Sequence, residues 1–444
     1  MTIFALATAP GRGALAVIRV SGARAGYALD VLSGVSRPEA RQARTRHLKD
    51  PQTGVTLDEA LVLWMPGPSS FTGEDCLELH VHGGIAVTDS VLSALAKLEG
   101  LRPAEAGEFS RRAVLNGRFD LTSAEGIADL IDAETSAQQS QALRQMQGRL
   151  RDLYEGWRDR LKSALAHLEA DIEFADEDLP GGLGQSALDR VEELLSSIQA
   201  HLGDVRGERL RDGLSIAIIG PPNAGKSSII NALAGRDAAI VSARAGTTRD
   251  VVEVALVLSG VPVTLSDTAG LRDTNDDIEV EGVRRARVRA QEADIRLLVT
   301  SYDAPLEQDE ALTFMRTGDF WLQNKQDLVS DNAVLPEAMA EGLQTVLVSA
   351  HQKASIDRFV AILEASVAAR FGVSERPVLT RARHRNALEE AVIHLGRALV
   401  AREVGLELAA EDVRLASRAL GRITGSVDID ALLDIVFADF CIGK

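Results

Sequence analysis

The fold of this chain is decided by the stretch LSIAIIGPPNAGKSSIINALAG at 214–235. Its apolar start predicts a buried strand, and the spacing of its apolar residues after the glycines predicts a helix. Between the two, GPPNAGKS at 220–227 matches G-x-x-x-x-G-K-S in the strand–loop–helix context that a phosphate-binding loop requires. A chance glycine-rich turn is the alternative, and the motifs further along the chain argue against it.

Each position of this loop has a physical role. Gly220 and Gly225 let backbone N–H groups close around phosphate oxygens, and the helix after the loop adds its N-terminal dipole. Lys226 can reach the β- and γ-phosphates, and we also count it among the catalytic residues. The hydroxyl of Ser227 is expected to bind Mg²⁺.

Two further motifs lie where the switch segments of a GTPase are expected. TTRD at 247–250 places Thr248 as a second Mg²⁺ ligand. DTAG at 267–270 ends a predicted strand, so that its aspartate can hold the Mg²⁺ shell and its glycine amide can sense the γ-phosphate. Order and spacing both agree with a nucleotide hydrolase.

Two last motifs identify the base. In NKQD at 324–327, the carboxylate of Asp327 can accept two N–H bonds from guanine, a pattern that adenine does not offer. SA at 349–350 closes the base pocket through a backbone amide. The motifs together predict a GTPase and not an ATPase.

One expected residue is missing. Ras-like enzymes place a water-orienting glutamine directly after the glycine of the DTAG motif, and here that position is Leu271, which cannot polarise water. The acids further along this loop are candidates for the role, and the residues alone do not choose among them. They are Asp273, Asp276, Asp277, Glu279 and Glu281.

The chain divides by texture into an α+β part, a helical part and an α/β part. Residues 1–118 mix short strands with Gly/Pro turns, 119–210 are helical, 211–372 alternate strands with helices, and 373–444 are helical again. The last segment is marginal as a domain alone. We therefore predict one discontinuous helical domain into which a Ras-like P-loop domain is inserted.

Composition limits the remaining possibilities. The 444 residues carry a formal net charge of −17, which argues against RNA binding over the whole surface but leaves room for a local basic groove. Two cysteines are too few for a disulfide framework. No long apolar run or signal-like start occurs, so we expect a cytoplasmic protein with no membrane association.

Several motifs together give the chain a specific resemblance. NAGKSS, GTTRD, DTAGLR and CIGK, with the upstream stretches APGRGALAVIRVSG, SSFTGEDCLELHVHGG and GEFSRRAVLNGRFDLTSAEGIADLIDA, resemble the MnmE (TrmE) family of tRNA-modification GTPases from end to end. The resemblance implies a K⁺ ion beside the phosphates, with ligands at Asn223, the backbone of Ser242 and Arg244, and Thr247. From its residue type alone, Asn223 could equally be a turn former. The resemblance also implies Glu279 as the water-orienting acid.

The motifs and the resemblance together imply a full set of nucleotide contacts. They are Asn223, Ala224, Gly225, Lys226, Ser227, Ser228, Ser242, Ala243, Arg244, Ala245, Gly246, Thr247, Thr248, Asp267, Thr268, Ala269, Gly270, Asn324, Lys325, Asp327, Ser349, Ala350 and His351.

The resemblance further implies that the N-terminal domain binds 5-formyl-tetrahydrofolate or a related tetrahydrofolate and forms a homodimer. The folate contacts fall on Arg19, Glu78 and Arg118, with Lys444 reaching the ligand from the tail. Considered without the family, Arg19 would be a surface charge on a strand. The family places Cys441 near the one-carbon chemistry, as a catalytic residue, and the alternatives for this thiol are a structural role or a lipid anchor.

The resemblance implies a K⁺-activated GTPase whose partner is an FAD-dependent protein similar to MnmG (GidA). Together they would add a carboxymethylaminomethyl or aminomethyl group, built on a tetrahydrofolate-derived carbon, to C5 of the wobble uridine U34 of certain tRNAs. The alternative is a ribosome-assembly or other regulatory GTPase. A ribosome-assembly GTPase should carry a basic RNA-binding module, and the sequence shows none.

Overall fold

The computed structural model describes residues 1–174, 183–235, 253–267, 287–302, 310–328, 342–372, 374–403, 405–427, 429–438, 440 and 442–443. They form two compact units. The first unit comprises Met1–Ala128, Leu143–Ile198 and Asn386–Lys444, and the second comprises Asp129–Ala142 and Gln199–Arg385.

The first unit contains a mixed sheet in the order β3-β4-β5-β2-β1-β6, with strand β3 at one edge. Only the β1–β6 pair is parallel among these described strands. The strands are β1 Thr2–Leu6, β2 Leu15–Ser21, β3 Ala43–Lys49, β4 Thr56–Met65, β5 Cys76–His82 and β6 Leu101–Pro103.

The two faces of this sheet have different neighbours. Helices α1 (Ala25–Ser33) and α2 (Ile85–Ala96) pack on the face that carries alternate apolar residues such as Ile18 and Val20. On part of the other face, Phe109 of helix α3 (Glu108–Leu115) packs against β1. Burial of one face by two helices explains why buried apolar residues recur at every second position along β2 and β5.

Helices complete the first unit, and some of them extend across its boundary in the chain. They are α4 Leu121–Asp132, α5 Ser136–Met146, α6 Arg149–Glu173, α7 Leu183–Leu202, α11 Ala382–Val400, α12 Leu406–Thr424 and α13 Ile429–Phe437. Helix α6 buries residues spaced three or four apart, from Leu150 to Leu168, and packs along α12. The hydroxyl of Thr424 in α12 donates a hydrogen bond to Glu155 in α6.

The start of α4 differs from the sequence pattern in one detail. Thr122 and Glu125 have the spacing of a capping box, but the helix begins at Leu121 and Asp120 is the cap. The Asp120 carboxylate accepts the backbone N–H groups of Thr122 at 2.9 Å and Ser123 at 3.2 Å. Asp120 lies just before the helix and can accept hydrogen bonds from the unpaired N–H groups of the first turn. Thr122 lies inside that turn and cannot reach them.

The second unit contains a sheet in the order β12-β11-β10-β7-β9-β8, parallel except for the β8–β9 pair. Its strands are β7 Leu214–Ile219, β8 Glu253–Leu258, β9 Val261–Asp267, β10 Ile295–Ser301, β11 Phe320–Asn324 and β12 Gln344–Leu347. Strands thus alternate with helices here, as the sequence predicts.

Helices of the second unit include α8 Arg206–Asp212, α9 Lys226–Ala234 and α10 Lys353–Phe371. Ile216 and Ile218 face one apolar core, while Ala217 and Ile219 face another on the opposite side of β7. A central strand buried on both faces is the mark of a doubly wound α/β fold, which confirms the predicted fold class. In the described part of the chain, no helix is both long and apolar enough to cross a bilayer.

Candidate active site

The glycine loop after β7 has backbone angles and contacts that only glycine tolerates at two positions. Gly220 has φ +134°, and an added Cβ would overlap the carbonyl group of Val299 on β10. Gly225 has φ +91°, and an added Cβ would overlap the side-chain amide of Asn324. The loop therefore runs close against the ends of two neighbouring strands and turns directly into α9.

Lys226 is the first residue of α9 and its side chain folds back over the loop. Its ammonium donates hydrogen bonds to the carbonyl oxygens of Gly220 and Pro221, each at 2.8 Å. The residue is only 9% exposed. The loop carbonyls thus hold the ammonium group in place ahead of any phosphate.

The remaining polar residues of the loop are exposed. Asn223 adopts φ +61°, a conformation that asparagine tolerates better than most residues, and its side chain is exposed. Ser227 and Ser228 are exposed at the start of α9. An amide oxygen and a hydroxyl at the open side of the loop suit hard cations such as K⁺ and Mg²⁺.

Asn324, the last residue of β11, connects three segments of the second unit. It is 3% exposed, and its amide nitrogen donates to the carbonyl oxygen of Ala224 at 2.9 Å. Its amide oxygen accepts the backbone N–H of Ala350 at 3.2 Å. One buried side chain therefore joins the phosphate loop to the segment after β12.

Asp327 and Ser349 meet next to this junction. The buried hydroxyl of Ser349 donates to the Asp327 carboxylate at 2.6 Å, and this hydrogen bond is the main cause of a lowered pKa for Asp327. The backbone N–H of Ser349 in turn donates to the hydroxyl of Ser355 in α10 at 2.9 Å. Asp327 is exposed, so its ionised carboxylate is available to a base. Lys325 and His351 flank this group.

Sequence reasoning missed the bridge by Asn324 and the support from Ser355. The bridge joins residues 100 positions apart, and no local pattern reveals such a contact. Ser355 lies six positions beyond Ser349 and carries no motif. Both residues hold the predicted base-binding groups in position.

Many predicted site residues lie outside the described part of the chain, and their roles stay predictions. They are Ser242, Ala243, Arg244, Ala245, Gly246, Thr247, Thr248, Thr268, Ala269, Gly270, Glu279, Cys441 and Lys444. Asp267 is described as the last residue of β9, without its side chain.

In the N-terminal sheet, Arg19 and Glu78 form a direct cross-strand pair. The Glu78 carboxylate accepts from Nη2 of Arg19 at 2.9 Å and from Nε at 3.1 Å. The Arg19 guanidinium lies 5.1 Å from the ring centre of Phe71. Its side chain is 21% exposed, so the interpretation of Arg19 as a plain surface charge is wrong. Strand pairing across 59 residues produces this partly buried ion pair.

The residue after Arg118 contacts the same aromatic ring. Phe119, its neighbour in the chain, packs against Phe71 with ring centres 5.6 Å apart. Phe71 therefore contacts both the arginine of the pair and the residue that follows Arg118. Sequence reasoning assigned no role to Phe71, although it lies inside the quoted motif SSFTGEDC.

The segment near Cys441 reaches the same domain. Ile442 forms a β-bridge with Ala106, and Gly443 lies so close to Leu6 that an added Cβ would overlap the Leu6 carbonyl oxygen. Leu6 pairs with Ile18, which is adjacent to Arg19 on β2. Residues 442–443 thus end against the strand next to the Arg19–Glu78 pair.

The histidines at the end of β5 have carboxylates as partners. His80 and His82 lie beyond Glu78 on β5, but they contact Glu78 and Asp58 respectively. Within the described ranges, no three His, Cys, Asp or Glu side chains are grouped closely enough to hold a metal ion.

The strand–glycine loop–helix unit, with Asn324, Asp327 and Ser349 at the ends of neighbouring strands, defines a guanine-nucleotide-binding P-loop protein. Comparison with known proteins gives the family. The model of the MnmE helical domain matches residues 121–441, and that of the GTP-binding protein TrmE N-terminus matches residues 2–118. The chain belongs to the MnmE (TrmE) family.

Curated relatives named tRNA modification GTPase MnmE match the whole chain, and two of them serve as examples. The protein of Paramagnetospirillum magneticum (strain ATCC 700264 / AMB-1) is 53% identical over 447 residues, covering 100% of this chain and 99% of the relative. The protein of Parvibaculum lavamentivorans (strain DS-1 / DSM 13023 / NCIMB 13966) is 51% identical over 446 residues, covering 100% of both. The likeness therefore extends over all predicted domains.

Proposed function

We infer that this protein is a GTP hydrolase that acts in tRNA modification. The observation that carries the inference is identity of 53% over the whole chain to a protein named tRNA modification GTPase MnmE. The nucleotide site supports the hydrolase half of this function independently, because the phosphate loop and the base-binding residues are joined by hydrogen bonds.

In this proposal each described residue of the nucleotide site has a distinct role. The N–H groups of the loop and the ammonium of Lys226 bind the phosphates, with the ammonium already held by two carbonyls. The Asp327 carboxylate reads the two guanine N–H groups, and Ser349 orients it. Asn324 fixes the distance between phosphate loop and base pocket.

The loop also fits two cations. The exposed hydroxyl of Ser227, with Thr248, would hold Mg²⁺, and the amide oxygen of Asn223, with Ser242, Arg244 and Thr247, would hold K⁺. When bound, these ions supply positive charge beside the phosphate oxygens, where negative charge develops during transfer. Leu271 cannot orient water, so we propose that Glu279 does so.

We further propose that the N-terminal domain, 1–118, binds a tetrahydrofolate and pairs two copies of the chain. The Arg19–Glu78 pair offers cation and carboxylate side by side beside an aromatic ring, which suits a ligand that has both a pterin and carboxylates. Arg118, Lys444 and Cys441 would complete the site. The helical domain, 119–210 with 373–444, would connect it to the GTPase domain, 211–372.

The proposed reaction is addition of a carboxymethylaminomethyl or aminomethyl group to C5 of wobble uridine U34. The carbon would derive from the tetrahydrofolate, and an MnmG (GidA)-like FAD protein would be the partner. The contact of residues 442–443 with the N-terminal domain supports a role of the tail at the folate site, since Cys441 directly precedes them.

The test is nucleoside mass spectrometry of bulk tRNA from a strain that lacks the gene. The strain is complemented with wild type, Lys226→Ala, Cys441→Ser, or the matched control Lys353→Ala, an exposed lysine at the start of α10. We expect wild type and the control to restore the C5-modified uridines and Lys226→Ala to fail. Unchanged uridines in the deletion strain would refute the tRNA function, and co-sedimentation with ribosomal subunits would then favour ribosome assembly.

Two further results separate the finer parts of the proposal. Restoration by Cys441→Ser would show that the thiol is structural. GTP turnover by the purified wild-type protein that is equal in K⁺ and Na⁺ buffers would contradict the K⁺ site.

A further inference from the structure

Strand β3 and the residues before it carry an unusual concentration of positive charge. The segment RQARTRHLK at 41–49 contains three arginines, one lysine and one histidine, and no carboxylate. The chain as a whole has a formal net charge of −17. The whole-chain total conceals this segment, which is a strand of the N-terminal sheet and not a separate basic module.

The segment lies at the edge of the sheet. Among the described strands β3 pairs only with β4, so its other side forms an edge of the sheet. Arg44 and Arg46 lie on the side of the strand that carries buried Leu48, and His47 lies on the opposite side. Arg44, His47 and Lys49 are exposed, and Arg46 is half-buried. Basic residue types therefore border the edge on both faces.

The arginines of this segment donate to neutral acceptors. Arg41 donates to the carbonyl oxygen of Ser69 at 2.8 Å, Arg44 to the amide oxygen of Gln42 at 2.9 Å, and Arg46 to the carbonyl oxygen of Thr45 at 3.0 Å. Their charges are thus not cancelled by these contacts.

Several arginines elsewhere in the first unit are bound to carboxylates, although Arg24 donates to a backbone carbonyl. Arg19 pairs with Glu78, Arg102 with Glu108, and Arg112 with both Glu74 and Glu108. The carboxylates nearest β3 in the chain have other donors: Glu39 accepts from Gln42, and Asp50 accepts from Lys97 at 3.0 Å. Glu59 lies opposite His47 on β4, and in the described register no acid lies directly opposite Arg44, Arg46 or Lys49.

We propose that the β3 edge binds the phosphodiester backbone of RNA, in this case the tRNA substrate. This inference rests on the proposed function, and it adds which surface of the chain contacts the tRNA. RNA phosphates are attracted to cations whose charge is not neutralised, and binding releases the counterions condensed on the RNA. The net negative charge of the whole chain repels RNA. The RNA backbone is therefore expected to contact the protein at an exposed basic edge. Phosphate contacts of this kind position a nucleic acid without reading its bases.

The test compares two double variants with equal change of charge. Arg44→Gln with Lys49→Gln removes two exposed cations from β3. Arg151→Gln with Lys162→Gln removes two cations from α6, where each is paired with a nearby aspartate. Binding of unmodified tRNA transcript to the full chain is measured over a series of salt concentrations. GTP turnover without tRNA, which these residues do not touch, serves as the check on folding.

We expect the β3 variant to bind tRNA more weakly at low salt. The slope of log affinity against log salt should become shallower by about one to two, one phosphate contact for each cation removed. The α6 variant should keep the wild-type slope. An equal loss in both variants would overturn the proposal, since it would reflect net charge alone.

Three other results would also overturn it. The β3 variant could bind tRNA as wild type does but self-associate, which would show that the cations keep a free sheet edge from pairing. The β3 variant could bind tRNA as wild type does but bind more weakly to vesicles of anionic phospholipid, which would make a lipid surface the ligand. Wild type could show no binding to tRNA at all. Failure of the proposed function is a separate outcome, because the wobble uridines of the deletion strain would then be unchanged whatever the β3 edge binds.

Discussion

Replacing Asn324 by alanine should weaken guanine nucleotide binding, although the atoms that are lost do not contact the guanine N–H groups. The side chain donates to the carbonyl of Ala224 in the phosphate loop and accepts the N–H of Ala350 beside the base pocket. Alanine removes both bonds and opens a space between the two segments. The phosphate loop and the base pocket then lose their fixed separation.

The size of the effect is set by these two hydrogen bonds. Each neutral bond contributes about 1 kcal/mol, and leaving a buried partner unpaired costs about 1–3 kcal/mol. Ala224 is 1% exposed, so water does not readily replace the lost amide at its carbonyl. A total of about 2–3 kcal/mol corresponds to a loss of roughly 30- to 150-fold in affinity.

The assay is equilibrium titration of the purified protein with a fluorescent GDP analogue. Asn231→Ala is the matched control, because this asparagine is exposed on α9. Thermal unfolding is measured on the same samples to show that the variant is folded. An affinity for Asn324→Ala within about threefold of the Asn231→Ala value, a difference well below that expected from two hydrogen bonds, would refute the reasoning.

Three further substitutions test stability. Gly156→Ala on α6 should raise the free energy of unfolding by up to about 1 kcal/mol, and with it the melting temperature, because an added Cβ meets nothing within 4 Å. Asp319→Asn should destabilise the second unit by about 3 kcal/mol, because it leaves the buried Arg296 charge unpaired. Burial lowers the pKa of His201 from 6.5 to about 4, so the unfolded chain binds a proton first as pH falls. Stability should therefore decline between pH 6.5 and 4, and His201→Gln should reduce that decline in thermal melts.

Each of these predictions has its own control. Gly126→Ala in α4 should destabilise, since its Cβ would lie 2.5 Å from the backbone nitrogen of Met146, and equal behaviour of the two glycine variants would contradict the steric reasoning. Asp89→Asn, on the exposed face of α2, should leave the melting temperature unchanged. An unaltered pH profile in His201→Gln would assign the acid sensitivity to other groups.

The α/β unit is predictable from the sequence because its strands are apolar on both faces. Runs such as LSIAII and IRLLVTS leave little choice, and the glycine loop after the first of them requires a helix to begin at its end. The cap of α4 is harder to predict, because Thr122 and Asp120 are both good caps and the choice depends on which side chain lies outside the first turn.

The candidate site is predictable where a motif is contiguous and not where distant segments meet. NKQD and SA identify Asp327 and Ser349 from a few letters, whereas the roles of Asn324, Ser355 and Phe71 depend on the packing of separate segments. The sequence alone suggests a surface charge at position 19, because the partner of that arginine lies on another strand. The basic edge at β3 is concealed in the composition because a sum over the chain averages it away.

The guanidinium of Arg385 donates to the carbonyl of Leu202 at 3.1 Å and to both carboxylate oxygens of Glu208. This contact brings the two ends of the longer segment of the second unit, 199–385, side by side, although 183 positions separate Arg385 from Leu202. Because the two ends of this segment meet, a short peptide linker between residues 198 and 386 would have little distance to bridge if the segment were removed.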